Sequence, residues 1–287
     1  MRKPVLLIFA NACILIAIFA LLTQSLFLIQ RVARVGAVQG MVEVQHDGKG
    51  PFLPLTVEMT VEMGDVVRTG PSGSAELGWV NGTRWKLLSN GEIIIREANF
   101  SNDGKYEHSR LQLNQGKLMV RVARALSKDS RFEVETPTAI ATTQGQVFSI
   151  ELQSGLTSVD VLKGSVDITP SQGGSEIVAT PLKRVVETTK GWNFVPAKRE
   201  DELCSEPDFI KPRLKATVRP LDAEHVLLNG ETEAGSRVLV DGQRIPVLAT
   251  GVFVSRLKRS PGTTSWKIEC VDRYGQRTVV QAGTETA

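Results

Sequence analysis

The stretch Phe132–Ile168 reads FEVETPTAIATTQGQVFSIELQSGLTSVDVLKGSVDI, and its reading decides the fold. Apolar residues fall on every second position: Phe132 and Val134, then Phe148, Ile150 and Leu152, then Val159 and Val161, then Val166 and Ile168. That is the period of a strand with one buried face. Thr136-Pro137, Gln144-Gly145, Ser154-Gly155 and Lys163-Gly164 separate the runs. Each marks a corner, because glycine accepts φ > 0 and proline removes a ladder donor. The stretch therefore reads as about four short strands joined by tight turns.

Working back toward the N-terminus, the same grammar continues. Val42 and Val44 alternate with charge, and Gly64-Asp65 and Pro71-Ser72-Gly73 supply corners. Ser74–Val80 and Thr83–Leu88 flank Asn81-Gly82, a preferred pair for a two-residue type I′ hairpin turn. Ile93 and Ile95 share one face, as do Leu111 and Leu113, then Leu118, Val120 and Val122. A weak repeat, glycine followed by alternating apolar residues, starts at Gly40, Gly116 and Gly164, with a looser copy at Gly191. No helical period is sustained between residues 32 and 195, so a nearly all-β domain is expected there. Asp65 reads as a turn-stabilising side chain.

Residues 196–212, PAKREDELCSEPDFIKP, are charged and bracketed by prolines, and read as a linker with one helical turn at Lys198–Cys204. Strand patterning resumes from Arg213, with Asp241-Gly242 as a second good hairpin turn. The spacing gives six or seven short strands over residues 213–283, the count of a small immunoglobulin-like sandwich.

At the other end, Val5–Ile29 contains no charged residue. As a helix it would rise roughly 37 Å, longer than the ~30 Å hydrocarbon core. Residues 1–30 therefore read as a transmembrane signal anchor, longer than a cleaved signal peptide needs. Cleavage near Thr23–Ser25 is the alternative. The basic residues flanking the run are nearly balanced, Arg2 and Lys3 against Arg31 and Arg34. The short N-terminal tail and the β-rich remainder put residues 31–287 in the periplasm or outside the cell.

Composition narrows the function classes. A formal net charge of +3 and no polybasic block argue against nucleic acid. Cys13, Cys204 and Cys270 form no CxxC pair, which removes zinc ribbons and thioredoxin chemistry. Cys204 and Cys270 are either a disulfide in an oxidising compartment or two separate buried thiols. His46, His108 and His225 are scattered and read as surface residues, and no nucleophile elbow or phosphate loop is present. No catalytic, metal or cofactor site is expected, and the protein reads as a non-enzyme. Lys117, Arg121, Arg124, Lys128 and Arg131 form one basic run with Asp129 as its only acid. That run reads either as a solvated face or as a contact for an anionic surface.

The order of the strand pieces over about Val32–Ile168 resembles the FecR domain family. The matching residues are Gly64–Thr69, Ser74–Leu77, Asn81-Gly82-Thr83, Leu113 with Gly116, Thr136-Pro137, Gly145–Phe148, and Val161 with Gly164 and Val166. The resemblance implies an extracytoplasmic, solenoid-like β module working in protein–protein signalling. Its best-known members stand between an outer-membrane receptor and an inner-membrane sigma-factor regulator. This chain has Gln144-Gly145-Gln146 where the family usually has Arg-Gly-Thr. Only Met1–Pro4 precede the apolar run, so sigma-factor control is not carried over. Asn229–Thr232, Val238–Gly242, Gly251–Phe253 and Trp266–Gly275 similarly resemble bacterial Ig-like modules, usually spacers or adhesive units.

The expected whole is a mainly β protein: an anchor, a FecR-like solenoid or sandwich over 32–195, a linker, and an Ig-like sandwich over 213–283. Its expected role is binding an envelope protein in signalling or scaffolding. The alternative is a polysaccharide-binding accessory, which needs exposed aromatics at Trp79, Trp85 or Trp192.

Overall fold

The structure is a computed structural model. It describes residues 28–30, 32–101, 106–122, 128–143, 145, 147–196, 206, 208–222, 224–233, 235–248, 250–259, 262–272 and 275–283. The anchor expectation lies outside the described residues except at its end. There β1 (Leu28–Gln30) is a strand paired with Asn99–Ser101, so any anchoring helix stops before Leu28. Among the described residues no helix is long and apolar enough to cross a membrane.

The chain is mainly β. The next strands are β2 (Ala33–Gln39), β3 (Val42–Gln45), β4 (Leu53–Pro54), β5 (Thr60–Val61), β6 (Val66–Thr69), β7 (Ser74–Gly78), β8 (Arg84–Leu87), β9 (Glu92–Ser101) and β10 (Glu107–Arg121). After them come β11 (Arg131–Glu135), β12 (Ala139–Thr143), β13 (Val147–Gln153), β14 (Leu156–Lys163), β15 (Val166–Pro170), β16 (Ile177–Ala179), β17 (Lys183–Thr188) and β18 (Gly191–Pro196).

These strands make two facing sheets that share β10. One sheet runs β4-β3-β6-β9-β10-β11-β12-β15-β16. The other runs β5-β2-β7-β8-β10-β13-β14-β17-β18. The chain crosses back and forth between the sheets as it advances, so it winds like a solenoid while packing like a sandwich. The alternating apolar residues face inward from both sheets into one core that includes Trp79, Trp85, Phe132 and Phe148. The two tryptophans pack with ring centroids 4.8 Å apart and planes tilted by 59°, and Phe100 and Phe132 flank them.

Three of the repeated glycines mark crossings between sheets: Gly40 between β2 and β3, Gly116 inside β10, and Gly164 between β14 and β15. Gly116 has φ +82°, and a Cβ there would lie 2.7 Å from Gly91 Cα. Adjacent crossings touch backbone to backbone, so neither position has room for a side chain.

Seven further strands follow: β19 (Leu214–Pro220), β20 (His225–Thr232), β21 (Arg237–Val240), β22 (Gln243–Ile245), β23 (Val252–Lys258), β24 (Ser265–Val271) and β25 (Arg277–Gly283). They form a three-stranded sheet, β19-β20-β23, and a four-stranded sheet, β22-β21-β24-β25. Between the sheets lies a second core with Phe253, Trp266 and Ile268.

The hairpin turns divide by geometry. Asp241-Gly242 is a two-residue turn with both φ values positive (46° and 84°), as type I′ requires. Ser154-Gly155 does the same. At Asn81-Gly82 the expectation fails. Only Gly82 has positive φ, and the Trp79 N–H donates to Thr83 O at 2.8 Å, closing a longer loop. Asn81 instead accepts the Thr83 N–H with its carboxamide oxygen and donates to Glu107.

Candidate functional site

The two ends of the N-terminal sandwich differ. At one end the segment from β4 to β5 runs from the first sheet to the second and closes the interior. Leu55 is buried there and Met59 packs on the core. Leu55 N–H donates to Val42 O, and Val35 N–H donates to Met59 O, each at 2.9 Å. The edge strands at this end are two residues long, and Pro54 occupies one of them. Short strands and proline are ordinary ways to blunt a sheet edge.

The opposite end has no such cover among the described residues. It terminates in β16 and β18, each paired along one side only. Ile177, Trp192 and Phe194 lie on the core-facing side, with Phe194 opposite the buried Val185. Ile177 and Trp192 are half-buried, and Phe194 is 52 % exposed. β16 and β18 carry no charged residue. A cleft of about 320 Å³ opens here between Thr138, Pro170, Ile177, Glu187 and Trp192. Uncharged edges beside open apolar surface, here three and six residues long, are where another strand can add to a sheet.

A second feature fixes what surrounds the outer face of the β7–β8–β10 sheet. Arg84 and Arg121 stand directly opposite each other on β8 and β10, both buried. Like charges so placed repel. Carboxylates from the C-terminal sandwich separate and neutralise them. Arg121 donates from Nε and Nη2 to Glu233 at 2.9 and 2.6 Å, and from Nη2 to Asp272 at 2.6 Å. Arg84 Nη1 lies 3.4 Å from Glu233. Arg213 pairs with Glu76 on β7.

The segment 208–211 is clamped in the same place. Arg84 donates to Phe209 O and Lys211 O, and Arg121 donates to Ile210 O. The Phe209 and Ile210 side chains pack on Met119, Val147 and Leu162. Burial pulls the Arg84 guanidinium down to about 10, and the nearby Glu233 and Glu76 only partly offset it. Burial acts on Arg121 too, but Glu233 and Asp272 outweigh it and hold its pKa above the ordinary value.

This geometry corrects the basic-run reading. Arg121 is 2 % exposed and fully engaged in the junction, so it is not part of an anionic-surface contact. Lys117 Nζ lies 3.6 Å from Asp160, which Arg184 also binds. Arg131 is exposed and lies 3.9 Å from Glu133, and Lys128 is exposed. Arg124 lies outside the described residues. Cys204 does too, and with it the Cys204–Cys270 pairing. Cys270 is buried, its Sγ 2.9 Å from Thr232 Oγ1.

Asp65 holds its corner as expected, accepting the N–H groups of Asp47 and Glu62, each at 2.9 Å. His108 differs from a plain surface residue, because it sits between Glu97 (3.2 Å) and Glu133 (3.3 Å) beside Arg110. Burial pushes the Glu133 carboxyl up, yet hydrogen bonds from Arg110 and His108 outweigh it and hold it below its ordinary value. Trp79 and Trp85 are core residues, so Trp192 alone of the three tryptophans reaches solvent. Among the described residues no group of three or more His, Cys, Asp or Glu is placed to hold a metal.

No curated protein matches the chain. Two crystal structures of a candidate anti-sigma factor from Parabacteroides distasonis align with 46% of this chain. Their identities are 15% and 17%, with TM-scores of 0.38 and 0.39. The alignment spans 59% of those chains. A polysaccharide lyase aligns at 8% identity and TM-score 0.21, over 88% of this chain and 40% of its own. Likenesses this distant assign no role. The family model described as FecR protein matches residues 65–167, from the Asp65 corner through β15. Residues 65–167 are thus a FecR-type domain within the longer β chain.

Proposed function

We propose that this is a non-enzymatic envelope protein that binds a protein partner, in signalling or scaffolding, through the open end at β16 and β18. In this reading the apolar run before Leu28 anchors the chain in the cytoplasmic membrane, and the rest lies in the periplasm. A FecR-like unit over 32–195 and an Ig-like unit over 213–283 are joined through 196–212. The observation that carries the proposal is the contrast between the ends: one sealed by Leu55 and Met59, the other ending in uncharged edge strands with Phe194 half out of the core. The partner contributes an extended strand with apolar side chains, which continues the sheet and covers Ile177, Trp192 and Phe194. The FecR domain supports a signalling setting, and no cofactor is required.

A polysaccharide-binding role is left with Trp192 as its one platform, since Trp79 and Trp85 are buried. The test places a photo-crosslinking residue at Phe194, and separately at Leu53 on the sealed end, in the full-length protein in its native cells. An envelope protein captured from position 194 and not from 53 is the expected result. Capture of glycan fragments alone, or equal protein capture from both positions, would sink the proposal.

A further inference from the structure

Almost all of the described arginines are occupied. Among the described residues, Arg237 and Arg244 are the only two with no hydrogen bond, ion pair or ring contact. Both are exposed. They belong to adjacent strands of the C-terminal sandwich, β21 and β22. Arg244 stands opposite Leu239, two residues along from Arg237, so the arginines are diagonal neighbours on one outward face. Diagonal neighbours lie roughly 7–8 Å apart, within reach of one ligand for two long side chains. β22 is the edge of its sheet, which leaves the approach open.

A cleft of about 400 Å³ lies here, lined by Ser236, Arg237, Arg244, Ile245, Pro246 and Val247. No acidic residue is among these. Glu269, across from Leu239 on β24, is engaged by Arg277 at 2.9 Å. The cleft is thus cationic on one side and apolar on the other. Two guanidinium forks suit the oxygens of a phosphate group, and the apolar wall beside them can take the carbon atoms attached to it.

We propose that Arg237 and Arg244 form a binding site for a phosphate group, supplied by an anionic lipid headgroup or by a soluble phosphate. The site is separate from the open end and does not depend on the partner proposed for it.

The test uses the full chain in phosphatidylcholine nanodiscs, titrated calorimetrically with short-chain phosphatidylglycerol, short-chain phosphatidylcholine or inorganic phosphate. Each titration is repeated with R237Q, R244Q and the double variant. Phosphatidylglycerol binding that weakens roughly tenfold in each single variant and vanishes in the double is the expected result. Inorganic phosphate binding as tightly, with the same dependence on both arginines, would identify the source as soluble phosphate. Absence of binding by both anions, or binding unchanged in the double variant, would overturn the proposal. Both side chains are exposed and unpaired, so an unchanged thermal transition in the variants serves as the folding control.

Discussion

Glu233→Gln should uncouple the two sandwiches while leaving each folded. The substitution keeps the shape of the side chain and removes the charge that Arg121 binds through two nitrogens and that Arg84 faces at 3.4 Å. Asp272 then remains against Arg121, and Glu76, at 3.6 Å, against Arg84. Removing one member of a buried ion pair costs about 3–5 kcal/mol, because the remaining charge has been desolvated without compensation. Here that cost falls on the contact between the sandwiches, since neither hydrophobic core includes Glu233. Hydrogen exchange on the full chain reads this directly. Protection at the Phe209 and Lys211 amides should fall by roughly two to three orders of magnitude. Amides in β13 and β24 should be little changed. Unchanged exchange at 209–211 would refute the assignment of the junction to these charges. Equal loss in both cores would show that the pairing holds the folds themselves and not their contact.

Gly116→Ala forces a side chain onto a positive φ and against Gly91, and should cost on the order of 1–3 kcal/mol in urea unfolding. Trp85→Ala should destabilise by roughly 3–5 kcal/mol as a fully buried aromatic, whereas Trp192→Ala should cost much less and lower crosslinking at the open end. Glu133 has a lowered pKa in the folded state, so its stabilisation is complete above its ordinary value of 4.5 and is lost as pH falls through the folded value. Glu133→Gln should therefore show a smaller drop in urea midpoint between about pH 7 and about pH 3 than the native protein.

How legible these features were depended on how local their causes are. The strands of Phe132–Ile168 follow from alternation within a few residues, and β13, β14 and β15 fall on those runs. Asp241-Gly242 was readable because a two-residue turn sets its own dihedrals. Asn81-Gly82 carried the same signal, but Trp79 beside it is drawn into the core against Trp85, and the loop lengthens to let it in. Arg121 looked like one of five surface cations. Its carboxylate partners are 112 and 151 residues away, and no local pattern announces them. Phe209 and Ile210 were hidden in a charged stretch for the same reason: the surface that buries them comes from β10, β13 and β14. Phe194 gave a faint sign, as an apolar residue following Gly191 outside the strict repeat.

The sealed end has a consequence for assembly. A strand-winding module open at both ends could stack head to tail without limit, each copy offering the next a fresh edge. Here the Leu53–Val61 crossing removes one of the two valences. In the proposed mode of binding, growth can proceed only from the β16 and β18 edges at the open end. A partner seated there as proposed would end the assembly at a closed complex rather than seed an open-ended fibre.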